Sequence, residues 1–138
     1  MALSNDEIAL IRSSFRGVTL NTEHAADRLY RILFEIAPEV RDMFLRDMQP
    51  QGAMLMSKLG LVVSELQNLE ALAPMLEDLA LRHVAYGVKP EHYPALGEAL
   101  LRMLADTLGD DFTDETRAAW AKAYDELATL MIGSAYRD

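Results

Sequence analysis

Apolar residues recur at three- and four-residue intervals from one end of this chain to the other, and no stretch sustains a period of two. β-Branched residues are sparse, so a strand ladder has little to build on, and the spacing implies helices throughout. Ser4 followed by Glu7 is a capping-box pattern ahead of Ile8, Ile11 and Phe15. A first helix is expected from about Asn5 to Arg16, ended by Gly17. Asn21 or Thr22 can cap a second, carrying Ala25, Leu29, Ile32, Leu33 and Ile36 on one face. Pro38 opens a short third piece, Glu39 to Phe44, with Val40, Met43 and Phe44 as its apolar residues. Leu45 to Gln49 reads as a loop, and Pro50 as the start of a long helix with Leu55, Leu59, Val62, Val63 and Leu66 as its buried stripe.

A connection around Asn68 to Ala73 leads to the helix marked by Leu72, Leu76, Leu79 and Leu81, which carries His83 and is broken by Gly87. Pro90 to Leu108 forms the next, with Leu96, Leu100, Met103 and Leu104 at core spacing. Gly109 stops it, and Thr113 caps a last helix carrying Ala119, Trp120, Tyr124, Leu127 and Met131. There is no linker, low-complexity tract or internal repeat. The expected architecture is one all-α domain over residues 1–138.

At 138 residues and 51% hydrophobic composition, the chain can bury a real core but leaves no room for a separate catalytic module. The net charge of −9 argues against nucleic acid, whose phosphates need a basic face, and disfavours an anionic membrane surface. No apolar run is long enough for a membrane span, and MALSNDEIAL lacks the pattern of a signal peptide, so a cytoplasmic location is expected. With zero cysteines, disulfides and thiolate-held metal centres are excluded. A metal would need nitrogen or oxygen donors, and the histidines are His24, His83 and His92.

His24 reads as a surface residue, and His92, in the first turn of its helix, as an exposed structural one. Glu65, Glu70, Glu77 and Asp78 read as solvated helix faces; a carboxylate metal site in a bundle would need Glu-x-x-His pairs, and none is present. The methionines, Met48, Met54 and Met56 among them, read as fillers of core gaps. His83 stands apart, at the end of one helix and facing the start of the next. Neutral imidazole there can ligate iron through one ring nitrogen if an acceptor orients the other. The bland alternative is a surface cation favoured by the helix dipole.

Three segments tip that balance. EIAPEVRDMF, LRHVAYGVKPEHYPALGEALL and LGDDFTDETRAAWAKAYDELA resemble, in order, the "PEV-x-x-x-F" corner, the proximal "KH-x-x-x-GV-x-x-x-HYP-x-VG-x-x-LL" segment and the "AW-x-x-AY" helix of globins. The likeness is to bacterial single-domain haemoglobins and the haem domain of flavohaemoglobins, and it covers nearly the whole chain. It implies a globin fold around haem b (iron protoporphyrin IX), with His83 as the proximal iron ligand and Phe44 packed on the haem. Tyr30, in RLYRILF, matches the distal tyrosine.

Gln51 falls at the distal polar position, 32 residues before the proximal histidine by the family's spacing (83 − 51 = 32), with Leu55 one turn on. A one-turn slip would place Met54 there and turn Lys58 inward, a costly burial. Leu55, Leu59, Phe44 and Val88 would keep water out, and Arg82, Lys58 and Lys89 are candidates for the haem propionates. Tyr93 matches a proximal tyrosine, but its usual glutamate partner falls near Ala135, where the chain has no acid; a less electron-rich iron is implied.

The resemblance implies binding of O₂, NO or other small gases, and nitric oxide dioxygenase activity. No flavin or nicotinamide domain accompanies these residues, so turnover would call on a separate reductase. A plain oxygen carrier or store, a gas sensor signalling through a partner, and a haem-free interaction module are the alternatives. A monomer and a homodimer are both compatible with the sequence.

Overall fold

The computed structural model describes residues 3–44 and 48–135. Six α-helices among these residues follow the order of the sequence punctuation: α1 (Asn5–Thr19), α2 (Thr22–Ile36), α3 (Met48–Ser64), α4 (Ala73–Ala85), α5 (His92–Leu108) and α6 (Asp114–Ala135). Short 3-10 segments, Pro38–Met43 and Leu66–Leu72, join α2 to α3 and α3 to α4. None of the helices is long and apolar enough to cross a membrane.

The caps explain where several helices begin. The Ser4 hydroxyl accepts from the Glu7 amide at 3.1 Å, while the Glu7 carboxylate accepts from the Ser4 amide at 2.8 Å. That bond to the Ser4 N–H, then the one from Lys122, holds the Glu7 carboxyl below its ordinary range. Asn21 rather than Thr22 caps α2, accepting from the His24 amide at 3.1 Å. Thr113 caps α6 through the Thr116 amide, also at 3.1 Å. Gly109, at φ 57°, terminates α5 as its sequence position suggests.

Some boundaries differ from expectation. Gly17 does not end α1, which runs on to Thr19. A Cβ there would stand 2.6 Å from Leu108, so this glycine is a point of close approach between helices. Met48 and Gln49 already belong to α3, which starts ahead of Pro50; the rest of the expected loop, residues 45–47, lies outside the described residues. A proline in the first turn sacrifices no intrahelical bond, so it does not have to be the first residue. Pro90 and Glu91 form a turn before α5 begins at His92.

The core draws Ile11, Val18, Leu29, Leu76, Met103 and Leu104 from α1, α2, α4 and α5. Leu81 is not part of it: at 52% exposure it lies on the outer face of α4. Across this core α1 works as a strap. The Arg12 guanidinium donates to the Val63 and Ser64 carbonyls at 3.2 and 2.9 Å, and also to Gln67, so it caps the last turn of α3 from another helix. On its opposite side Ser14 accepts from the indole N–H of Trp120 on α6 at 2.8 Å.

Candidate haem site

The side that carries His83, expected to be proximal, is built by the end of α4. Gly87, at φ 92°, allows a Schellman turn in which the Val88 amide donates to the His83 carbonyl at 2.9 Å and the Gly87 amide to Val84 at 3.0 Å. The helix end is thus closed on the turn that carries His83. The His83 ring is half-buried, with Nδ1 2.6 Å from the Leu79 carbonyl. A carbonyl only accepts, so Nδ1 carries the proton and the Nε2 lone pair is left for a metal. Burial pushes the His83 pKa down, outweighing the upward pull of the Leu79 carbonyl, and the ring is neutral at neutral pH. Tyr93, buried in the first turn of α5, sets its ring 6.1 Å from the imidazole, tilted by 34°.

The distal side is built where α2 crosses α3. Gly52 lies so close to α2 that a Cβ there would stand 2.9 Å from the Ala26 Cβ. That crossing brings Tyr30 against the first turns of α3, where its hydroxyl donates to the Gln51 backbone carbonyl at 3.4 Å. For an O–H donor this is long, hence weak, and the hydroxyl is cheap to re-aim. Burial pushes the Tyr30 phenol up to about 12, so it is a donor at any physiological pH. Its ring meets Phe34 at 6.0 Å and Phe44 edge-on at 5.2 Å, forming an aromatic wall.

The other sequence candidates are distributed around these two sides. Phe44, Leu55, Leu59 and Val88 are half-buried and pack against the core. Gln51 and Met54 are both exposed, and it is the backbone of Gln51 that meets Tyr30. Lys58 is half-buried, while Arg82 pairs with Asp78 at 3.1 Å. His92 is not the exposed residue expected. It is half-buried, accepts from the Lys89 amide at 3.0 Å and faces Glu39 at 3.8 Å across the chain's turn.

Phe34 is a residue sequence reasoning passed over, although its position four after Tyr30 on one helix was a usable signal. Ala26 and Gly52 carried no such signal, because their importance lies in a crossing between two helices.

Among the described residues, no group of three or more His, Cys, Asp or Glu side chains could hold a bare metal ion. One neutral imidazole in apolar surroundings fits a metal that brings its own equatorial ligands, as porphyrin iron does.

The globin family profile matches residues 27–131, and the chain belongs to the globin family. A flavohemoprotein of Rhodopirellula baltica is 34% identical over 134 residues, covering 95% of this chain and 33% of its own length. A flavohemoprotein of Rhizobium meliloti is 36% identical over 107 residues, covering 75% of this chain and 27% of its own. The chain therefore spans about a third of the length of the curated relatives it matches. Among solved structures, a bacterial globin from Campylobacter jejuni superposes with a TM-score of 0.85 at 29% identity, covering 96% of both chains. An engineered carbene transferase, made from a proposed nitric oxide dioxygenase of Rhodothermus marinus, gives 0.84 at 32% identity, covering 94% of this chain and 91% of its own. Membership of the globin family implies haem as the cofactor and small gases as the ligands.

Proposed function

We propose that the chain binds haem b through His83, takes up O₂, and converts nitric oxide to nitrate when a reductase supplies electrons. The observation that carries this reading is the half-buried His83 ring, whose Nδ1 is committed to the Leu79 carbonyl. Bound haem would supply an iron coordination position for a diatomic gas and the electron that making nitrate from O₂ and nitric oxide requires.

The protein's own residues would do the rest. The Leu79 carbonyl orients the imidazole. Phe44, Leu55, Leu59 and Val88 exclude water. The Tyr30 hydroxyl, weakly held by the Gln51 backbone carbonyl, would turn its proton toward a partly charged diatomic ligand, and the Gln51 amide, exposed at the same helix end, would become a second donor only by turning inward. A hydrogen bond to a charged acceptor is worth about 1.5–3 kcal/mol, so Tyr30→Phe should speed O₂ release roughly 10- to 150-fold. Stopped-flow displacement of O₂ by carbon monoxide measures this.

Two experiments test the reading in sequence. Purified protein should show a strong Soret band, and His83→Ala should lose it. Reduced protein equilibrated with O₂ and mixed with nitric oxide should yield nitrate faster than O₂ dissociates. A Soret band with no nitrate would leave an oxygen carrier or store; absence of the band from the haem-supplemented wild type would refute haem binding.

A further inference from the structure

Three residues of α2 share one face and meet the start of α3 in succession. Glu23, Ala26 and Tyr30 stand three and four residues apart, the spacing that stacks side chains along one side of a helix. The Glu23 carboxylate accepts from the Gln49 side-chain amide at 2.9 Å. Ala26 sits against Gly52, so close that a Cβ on Gly52 would stand 2.9 Å from its own. Tyr30 donates to the Gln51 carbonyl at 3.4 Å. The tight contact in the middle cannot yield, so the bonds on either side of it steady the first turn of α3. Those two bonds are unequal. The one from Tyr30 is long, and the function proposed above gives it up, because the hydroxyl must turn to the gas. The one to Glu23 has good length and a carboxylate as acceptor, and it joins two exposed side chains that take no part in the gas chemistry.

We infer that Glu23 is a positioning residue for the distal donors: through Gln49 it pins the first turn of α3 to α2 while Tyr30 turns to the ligand, and so keeps the Gln51 side chain outside. That side chain is exposed, two residues along the chain from the tie. Bringing it inward moves the same turn that Gln49 anchors. With the bond intact, Tyr30 is the donor that a bound gas meets; with the bond cut, Gln51 joins it. The inference rests on the reading that His83 holds haem with the gas bound opposite.

Infrared spectroscopy of the ferrous carbon monoxide complex tests it, because a hydrogen bond to the bound ligand lowers the C–O stretching frequency. Glu23→Ala and Gln49→Ala should each move intensity from the higher- to the lower-frequency band. The double variant should move no more than either alone, since all three cut one bond. Glu23→Gln keeps an acceptor oxygen and should leave the wild-type pattern. In a Gln51→Leu background the Glu23→Ala shift should vanish. Both partners are exposed, so their urea midpoints should stay near that of the wild type, whereas Ser14→Ala should lower its midpoint with the bands unmoved. Glu23→Ala bands that overlay the wild type overturn the inference. So does a shift that survives Gln51→Leu, that adds between positions 23 and 49, or that Ser14→Ala reproduces. A wild type that binds no haem fails at the Soret band, before any variant is compared, and removes this inference together with the function it rests on.

Discussion

The two side chains on which the proposed function rests, His83 and Tyr30, are tuned by the same physical effect in complementary directions. Partial burial penalises whichever form is charged, so the imidazole stays neutral and can donate its lone pair, while the phenol stays protonated and can donate its hydrogen. For Tyr30 the consequence can be titrated. Its folded-state pKa of about 12 lies above the ordinary 10.0, so between those values the native state holds a proton that the unfolded chain has released. Stability must therefore fall as pH rises through that window, since stability follows the excess of protons bound by the unfolded state. Subtracting the phenolate absorbance curve of Tyr30→Phe from that of the wild type should leave one ionisation close to pH 12, and one near 10 would contradict the burial. The closeness of His83 and Tyr93 was legible in the sequence because ten residues across one corner keep their spacing in a recognisable motif. The bond from Tyr124 to the Tyr93 carbonyl was not, because it spans 31 residues and depends on a glycine in a third place.

Two glycines act as elements of construction, and each can be tested by adding one carbon. At Gly52 the added Cβ meets the Ala26 Cβ at 2.9 Å, and neither atom can rotate away. Gly52→Ala should separate α2 from α3 and cost about 1–3 kcal/mol in urea unfolding, the usual range for overpacking. At Gly87 nothing lies within 4 Å of an added Cβ, so the cost there is in the backbone alone. At φ 92°, Gly87→Ala should cost about 1–2 kcal/mol, and Gly87→Asn less, because asparagine tolerates the left-handed region. Equal losses from the two substitutions would mean that the turn is not held in that region. The contrast shows why helix stops were only partly legible. Gly87 and Gly109 end helices through their own dihedral angles, a local property. Gly17 stays helical because what it answers to is Leu108, ninety-one positions away by sequence number (108 − 17 = 91). Likewise Leu81 keeps the spacing of a core residue, but α4 turns that side to solvent.

On the scale of the whole molecule, the single tryptophan reports on how the ends of the chain meet. Trp120 is 2% exposed, its ring is 6.2 Å from Phe15, and its indole N–H is held by Ser14 of α1. If the helices unfold as one unit, the fluorescence of Trp120 and the helical circular dichroism signal should trace the same urea transition. An earlier fluorescence transition would show that α1 and α6 part before the rest. The matched family stretch opens at residue 27, inside α2, and so omits Arg12 and Ser14. A protein trimmed to that stretch would keep every residue assigned here to gas chemistry, yet the Val63 and Ser64 carbonyls would lose their donor and Trp120 its acceptor. The scaffold of this globin fold thus extends upstream of its most recognisable part, and a minimal version that keeps it would have to start no later than Ser4, the cap of α1.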